Sequence, residues 1–414
     1  MKKIVVIGGG AAGIMAAISA AEQGGQVVLL EKMSSIGRKL AITGKGRCNI
    51  TNTCDVKTMI QHIPGNGSFL YGAFHAFSND DIIAFVENQG VPTKEERGGR
   101  VFPVSDEAKD VVQAFYSALV ARKVQLVTGR RVQSIEIEAG RVKAVKTSQG
   151  DFTADAFILA TGGSSYPGTG SSGDGYEMAR DIGHKIMPLK PSLIPLETAE
   201  DWIGLLQGLS LKNVRATLIV ADKKVDEDFG EMLFTHYGLS GPIILSLSRS
   251  AGKWLDSKQK TTAEVIIEIN LKPALSEEVL DRRLQRDFEK FSRKQLKNSL
   301  GELLPTKLIP VIIDLAQIDG DKFVHQITKE ERLRLLDQLL HMKFTIKGTR
   351  PLAEAIVTAG GVDTREINPK TMESKLISGL FFAGEVIDID GYTGGYNLQA
   401  AFSTGFVAGR AAAE

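Results

Sequence analysis

The chain has 414 residues, 43% of them hydrophobic, enough for two or three domains with large cores. Its formal net charge of +1 offers no overall field for nucleic acid or acidic partners, and no apolar run reaches the roughly 20 residues that span a bilayer. The two cysteines, Cys48 and Cys54, and the six scattered histidines fit neither a disulfide scaffold nor a zinc pattern, so no metal site is expected and a reducing cytoplasm is the default compartment.

The first thirty-odd residues read as strand, glycine turn, helix and strand. Ile4 to Ile7 form a β-branched apolar run suited to a buried parallel strand. Gly8, Gly10 and Gly13 then spell G-x-G-x-x-G: one glycine for the tight turn, one for close approach to a pyrophosphate, one for packing of helix on strand. A helix over about Ala11 to Gln23 offers its positive end to phosphate, and the strand Gln26 to Leu30 ends in Glu31, where a ribose hydroxyl needs an acceptor. Lys2 and Lys3 before an alanine-rich run resemble a secretion signal, but the glycine cluster interrupts the apolar core, so secretion is not expected. Dinucleotide binding is the reading this context favours.

After Glu31 comes KMSSIGRKLAITGKGRCNITN, with Arg38, Lys39, Lys45 and Arg47 among glycines and no acid. It suits either a loop along a pyrophosphate and flavin or a solvated basic loop. The run GRKLAITGKGRCNITN, directly after a Rossmann turn, resembles the bacterial flavoprotein family labelled HI0933-like, or NAD(FAD)-utilizing dehydrogenase, which includes aminoacetone oxidase-like enzymes and is distantly related to fumarate reductase flavoproteins. The family pattern G-x-K-x-x-x-(S/T)-G-x-G-R-C-N-x-T-N is matched with Thr43 at the S/T position.

Residues 56 to 125 read as mainly helical, with Asp80 to Gln89 and Ala108 to Arg122 at helical spacing, the second capped by Ser105-Asp106-Glu107. Between them, Gly98-Gly99 reads as a turn, and Arg100 is either a substrate contact or a surface ion-pair partner. The family's R-x-F-P-x-S block matches Arg100, Phe102, Pro103 and Ser105, which implies a place near the active site. Val124 to Val127 is a strand, residues 129–147 a hairpin, and Ala156 to Ala160 a buried strand. The resemblance implies a backbone contact to adenine at Val132 and a flavoprotein signature at Ala160, Thr161 and Gly162. Gly168, Gly170 and Gly173 spell G-x-G-x-x-G again, but Tyr166-Pro167 precede them rather than a strand, so a loop beside the flavin is expected before a helix over Tyr176 to Ile182.

Pro188, Pro191 and Pro195 mark a boundary. Leu193 to about Leu271 reads as strand-like, Ser276 to His341 as charged amphipathic helices, and Lys343 to Lys347 as strand. The family's F-T-H-x-G-x-S-G-P block matches Phe234 to Pro242, and His236 within it is either a structural histidine or a proton donor or oxyanion binder. Ala353 to Asp363 contains a Gly360-Gly361 turn, Ile377 to Gly384 an apolar strand, and Asn397 to Arg410 a small-residue helix. The C-terminal run G-x-x-F-A-G-E-x-x-D-x-x-G-x-x-G-G-Y-N-L-Q resembles the family's last FAD block, which implies contacts at Gly384, Glu385, Asn397, Leu398 and Gln399.

The expected fold is α/β: a Rossmann-like FAD-binding domain with an inserted β-rich, barrel-like domain and a small helical domain. The expected layout is 1–190 for the first part of the FAD domain, 191–273 for the β-rich domain, 274–341 for the helical insert, 342–350 for the last β-rich strand and 351–414 for the return to the FAD domain. Together with the contacts named above, the expected FAD set comprises Gly8, Gly10, Ala11, Ala12, Gly13, Glu31, Lys32, Arg38, Lys39, Gly44, Arg47, Cys48 and Asn49. Cys48, Arg100, His236 and Tyr392 are the candidate catalytic groups. The expected activity is hydride transfer between flavin N5 and a small organic substrate, with non-covalent FAD, NAD(P)H as a transient donor and an enone-type C=C bond as acceptor. An oxygen-using oxidase of small amino ketones or amines, or a redox-sensing flavoprotein with little turnover, are the alternatives. No nucleic-acid or membrane partner is expected.

Overall fold

The computed structural model describes residues 1–257 and 264–414, in two units: Met1–Ser192 with Leu352–Glu414, and Leu193–Pro351. The first unit is built on a parallel five-stranded sheet in the order Leu380–Phe382, Ala156–Leu159, Lys3–Ile7, Gln26–Leu30, Gln125–Val127. Its inner strands are apolar on both faces because helices cover both, and Ile4 and Val6 are fully buried. The helix Ala11–Glu22 follows the glycine turn, and the last helix, Tyr396–Ala413, lies against it. Two glycines set that approach: a Cβ on Gly405 would lie 2.3 Å from Ala12 O, and one on Gly409 would lie 2.2 Å from Ala16 O. Ser19 Oγ also donates to Phe406 O (2.8 Å). The two ends of the chain thus share one core.

Several local readings are corrected. Ser105-Asp106-Glu107 does not cap the helix Ala108–Ala121: its N-cap, Glu107, makes no side-chain cap bond and pairs with Lys109 (3.6 Å), and Asp106 accepts from Lys94 (2.7 Å) and Arg47 (3.3 Å). The basic segment after Glu31 is not all loop. Arg38 to Ile42 form a helical turn, and the chain breaks out of helix at Thr43 and runs left-handed at Gly44, Lys45, Gly46 and Cys48. Gly360 and Gly361 lie within the strand Val357–Val362 rather than in a turn. A Cβ on Gly360 would lie 2.3 Å from Pro188 O, and the pairing with Ile186–Ser192 shifts register between Met187 and Lys190. Pro188 and Pro191 are accommodated in that same irregular two-stranded sheet.

His184 ties the start of that strand to the chain's return. Its side chain is buried, with Nδ1 2.9 Å from Glu366 Oε2 and Nε2 2.9 Å from Ser374 Oγ. Burial holds the imidazole below its ordinary pKa, against the pull of Glu366. In the unfolded chain it protonates near pH 6.5. Below that the unfolded state binds more protons, so this group's stabilisation is present above the unfolded pKa and is lost as pH falls toward the depressed folded value. The urea midpoint is expected to drop between about pH 7.5 and about pH 5.5, and His184→Gln is expected to flatten that slope.

The second unit is a closed antiparallel barrel in the order Leu196–Thr198, Gly238–Ser240, Lys223–Phe234, Ser210–Val220, Val265–Asn270, Met342–Thr349. The stretch after Ser240, read as strand-like, is instead the helix Pro242–Ser257. Pro242 suits a first helical position, and Ile243, Ile244, Leu247 and Ala251 recur at helical spacing and are buried. Between the last two barrel strands stand the helices Glu277–Lys290, Leu308–Leu315 and Lys329–Leu340; Ser276 caps the first, and Thr328 with Glu331 forms a capping box on the last. No helix of the described residues is long and apolar enough to cross a membrane.

Candidate functional site

The glycine turn is shaped as an anion cradle. Gly8 has φ +108°, and a Cβ there would lie 2.4 Å from Ala160 O; a Cβ on Gly13 would lie 1.8 Å from Gly8 O. Those two glycines are demanded by packing. Gly10 is different: a Cβ there meets nothing within 4 Å. Gly10 is also the N-cap of Ala11–Glu22, with no side-chain cap bond and no acid in the first turn. The positive helix end therefore faces open space. Glu31 closes the second strand, its two oxygens accepting from Gly9 N–H (2.7 Å) and Met33 N–H (2.7 Å). These bonds fix the carboxylate beside the turn and leave lone pairs for a hydroxyl donor.

The basic segment is tied to this turn, since Gly37 N–H donates to Gly9 O (2.8 Å). Lys39 Nζ reaches both Ser165 Oγ (2.8 Å) and Glu385 Oε2 (2.8 Å). Glu385 Oε1 in turn accepts from Thr358 N–H (2.8 Å) and Ser165 Oγ (3.3 Å). Lys32 pairs with Asp174 (3.1 Å) and bonds Ser172, and Arg38 reaches Gly168 O (3.4 Å). The second glycine-rich loop, with its short 3-10 turn at Pro167–Thr169, therefore lies on the basic segment, and no strand leads into it. Thr161, after the buried Ala160, approaches Gly8 and has its Oγ1 buried without a partner.

The C-terminal block is held from several sides. Gly384 N–H donates to Thr404 Oγ1 (2.9 Å), and Gly395 is the left-handed N-cap of the last helix. Asn397 Oδ1 accepts from Gly391 N–H (2.8 Å), while its amide donates to Gly391 O (2.8 Å) and Tyr392 O (3.2 Å). Oriented to satisfy its neighbours, Asn49 accepts from Gly395 N–H (3.0 Å) and donates to Thr51 O and Val101 O.

The family model described as the HI0933-like protein Rossmann domain matches residues 2–411. The chain belongs to the HI0933-like family. It is 33% identical to a 3-dehydro-bile acid delta(4,6)-reductase of Clostridium scindens, over 100% of both chains. It is 32% identical to a ribosomal RNA dihydrouridine synthase of Haemophilus influenzae, over 97% of this chain and 96% of that one. Among solved structures, a 3-ketosteroid-delta4-(5alpha)-dehydrogenase from Rhodococcus jostii RHA1 shares the fold, with TM-score 0.51 and 15% identity over 100% of this chain and 97% of that one. This HI0933-like chain is a flavin-dependent oxidoreductase on an FAD-binding Rossmann-like domain.

The residues present fit FAD at the open space beside Gly10, where the uncapped positive end of the helix Ala11–Glu22 meets no protein atom. Gly8 to Gly13 with Glu31 would hold the dinucleotide, with Val132, at the start of the strand Val132–Glu138, placed in the small sheet expected at the adenine. When bound, FAD would supply hydride chemistry at its ring, and the N-terminus of the last helix would favour negative charge developing beside it. Other expected contacts have different work. Gln399 is buried, accepts from Thr51 Oγ1 (2.6 Å) and donates to Phe77 O (3.1 Å) and Ser403 Oγ (2.9 Å), so its amide is a core strut. Arg47 lies over Phe102 at 4.0 Å and bonds Glu96 at 2.7 and 3.3 Å. The Glu96 bond, followed by the charges of Glu96 and Asp106, holds that guanidinium above its ordinary pKa despite some burial. Gly44 belongs to the left-handed break, and Leu398 is half-buried on the last helix.

Of the four candidate catalytic groups, Cys48, Arg100 and Tyr392 belong to the first unit and His236 to the second. Arg100 bonds Arg97 O (3.1 Å) at the start of its strand. His236 is exposed in the barrel unit, its ring edge on Tyr237. Tyr392 lies in the loop that Asn397 holds, and its N–H donates to His62 O (2.8 Å). Cys48 is fully buried, and that burial pushes its thiol up to about 12 despite a bond with Thr43. Cys54 is pushed up to about 11, by burial first and by Asp55 next. Native protein at about pH 8 is expected to show no fast thiol towards Ellman's reagent, and both cysteines are expected to react on unfolding. Fast loss of Cys48 from the native protein would contradict its placement.

Sequence reasoning missed Ser165, Thr358 and Asp388. Asp388 Oδ2 accepts from Asn66 Nδ2 (3.0 Å), and burial, then Asp390 and Asp363, hold its carboxyl above the ordinary range against that bond. The signal was present in the D-x-D of the last block, where two acids sit beside apolar residues.

Proposed function

We propose that this chain reduces a ring C=C bond conjugated to a carbonyl, using non-covalently bound FAD and NAD(P)H as electron donor. The observation that carries the reading is that two relatives of full length, at 33% and 32% identity, bear the names of reductions of unsaturated rings: a bile acid delta(4,6)-reductase and a dihydrouridine synthase. The site supports it. The turn Gly8–Gly13 leaves room for a pyrophosphate, and the network of Lys39, Ser165, Thr358 and Glu385 holds three distant segments together beside the second glycine-rich loop. Neither cysteine carries an ionised thiol at neutral pH, which favours a flavin held without a covalent bond. Tyr392 is the proton donor this reading favours, because Asn397 fixes its loop.

The test is anaerobic. Enzyme reduced with NADPH or NADH is mixed with 4-androstene-3,17-dione as a ring-enone probe, and with uridine-containing RNA as a second acceptor. Return of the oxidised flavin spectrum with one of them, and loss of the enone or uracil chromophore, is expected. Failure of both acceptors to reoxidise the flavin, with rapid reoxidation once air is admitted, would overturn the reading in favour of an oxidase, and no reduction by either nucleotide would remove NAD(P)H as donor.

A further inference from the structure

A short segment, residues 62–66, braces the loop that carries Tyr392. It follows the helix Val56–Gln61, which Asp55 caps by accepting from Thr58 N–H (2.7 Å), and it is anchored by the buried Met59 and Ile63. The segment begins with His62, and two kinds of contact set the ring of that residue. Its Nδ1 lies 2.8 Å from Thr58 O; a carbonyl only accepts, so Nδ1 carries the proton and donates. The ring stacks on the buried Tyr396, with centroids 4.5 Å apart and planes 17° from parallel. It also meets the Tyr392 ring edge to face, at 6.2 Å and 86°, within the range where aromatic pairs attract.

The same segment holds the backbone of the loop. His62 O accepts from Tyr392 N–H (2.8 Å), and a Cβ on Gly391 would lie 3.1 Å from that oxygen, so a glycine at 391 lets the loop pass this close. Asn66 Nδ2 donates to Asp388 O (2.7 Å) and to Asp388 Oδ2 (3.0 Å). Asn52 Nδ2 donates to Gly394 O (3.0 Å) at the far side of the loop. These bonds fix the main chain around Tyr392, and the His62 imidazole adds a contact to its ring. Tyr396 serves as the platform beneath that imidazole. Burial, then Cys54, pushes the Tyr396 phenol up to about 12, which makes it a weaker acid than an ordinary tyrosine.

We infer that His62 is a positioning residue for proton delivery by Tyr392. The inference rests on the reductase reading above, with Tyr392 as proton donor. In that reduction one alkene carbon receives a hydride, with its electron pair, from reduced flavin. The other carbon receives a proton: the Tyr392 O–H bond breaks, a C–H bond forms, and solvent returns a proton to the phenolate. The transfer needs the phenol oxygen held at the reacting carbon, and a misplacement of about 1 Å costs about a hundredfold in rate. His62 acts through Tyr392, by keeping its ring in one place.

Two measurements on flavin-loaded protein test this. The first needs no turnover: fluorine NMR of a ring-fluorinated tyrosine in place of Tyr392. Wild type is expected to show one narrow line, His62→Ala a broadened or split line, and His62→Phe, which keeps a ring against Tyr396, a narrow line again. In the second, enzyme reduced anaerobically with dithionite is mixed with 4-androstene-3,17-dione. His62→Ala is expected to slow the saturating rate of flavin reoxidation about tenfold, with the half-saturating enone concentration within about twofold of wild type. The double variant His62→Ala, Tyr392→Phe is expected to be no slower than Tyr392→Phe alone, because a residue that acts through Tyr392 then has nothing to place. Should His62→Ala lose its flavin, His62→Asn, whose amide keeps a donor for Thr58 O, replaces it in both measurements. A line as narrow in His62→Ala as in wild type, a broad line in wild type, or slowing that adds to that of Tyr392→Phe would overturn the inference. A line that broadens in His62→Ala, in a protein that no enone or uridine reoxidises, would leave the placement of Tyr392 standing and remove the reductase reading. A rate that falls in Tyr392→Phe and not in His62→Ala would do the reverse.

Discussion

Gly10→Asp is expected to abolish FAD binding while leaving the apoprotein as stable as wild type, or more so. The backbone there is extended, with φ −84° and ψ −175°, the geometry of an ordinary N-cap. Asp is among the best N-caps and adds a favourable charge at the positive helix end, so the protein itself has no objection to it. No atom lies within 4 Å of the new Cβ, so there is no clash. The carboxylate would fall where the pyrophosphate belongs. Two like charges about 4 Å apart near a protein surface cost about 4 kcal/mol, roughly a thousandfold in affinity. Titration of apoprotein with FAD, followed by flavin fluorescence, measures the loss, and the thermal midpoint without flavin measures the stability. A variant that still purifies with a full complement of FAD would remove the glycine turn from the site. The contrast with Gly13 sharpens the test, because a Cβ there would lie 1.8 Å from Gly8 O, and Gly13→Asp is expected to damage the fold itself.

Gly409→Val is expected to give the largest loss of stability. The added atoms would meet backbone of the helix Ala11–Glu22, with Ala16 O at 2.2 Å from the Cβ alone. Backbone in the middle of a buried helix cannot retreat as a side chain can, so the two helices would have to separate along Ser19–Phe406, and a shift of the last helix would also disturb its stacked rings Phe406 and Phe402 against Phe77 and Phe115. Overpacking of this kind costs about 3 kcal/mol, and loss of flanking contacts adds to it. Urea unfolding should show the midpoint falling and flavin released at lower denaturant. Unchanged stability would mean that the two ends of the chain do not share one core. Gly405→Ala, with a Cβ 2.3 Å from Ala12 O, is expected to act in the same direction.

What was legible in the sequence follows from how local the signal is. The strand-turn-helix at residues 3–22 is written in adjacent residues and is found where the pattern puts it. The helices after Ser276 and Thr328 announce themselves by caps and by apolar residues at helical spacing. The helix Pro242–Ser257 was hidden because IILSLS has the β-branched, apolar look of a strand, and only the burial of Ile243, Ile244, Leu247 and Ala251 distinguishes it. A pair such as Gly360-Gly361 commonly marks a turn; here Gly360 lets the strand pass Pro188 O and Gly361 lets it pass Val386 O, contacts with residues distant in sequence. The same non-locality hid the partners of Glu385. Nothing in the sequence near Ser165 or Thr358 says that both meet one carboxylate. Arg47 and Gln399 fall inside motif blocks yet spend their side chains on Glu96 and on Thr51, Phe77 and Ser403. A motif carries both ligand contacts and the struts that hold them, and spacing alone does not separate the two.

The most direct measurement is the absorption spectrum of the purified protein, taken before and after denaturation. Bands near roughly 370 and 450 nm, as any oxidised flavin shows, that leave with the small-molecule fraction are the predicted result. The released compound should be FAD, and it should rebind to refolded wild type but not to Gly10→Asp. A colourless protein that also fails to take up added FAD would contradict the account, as would a yellow protein whose colour stays with the chain after denaturation.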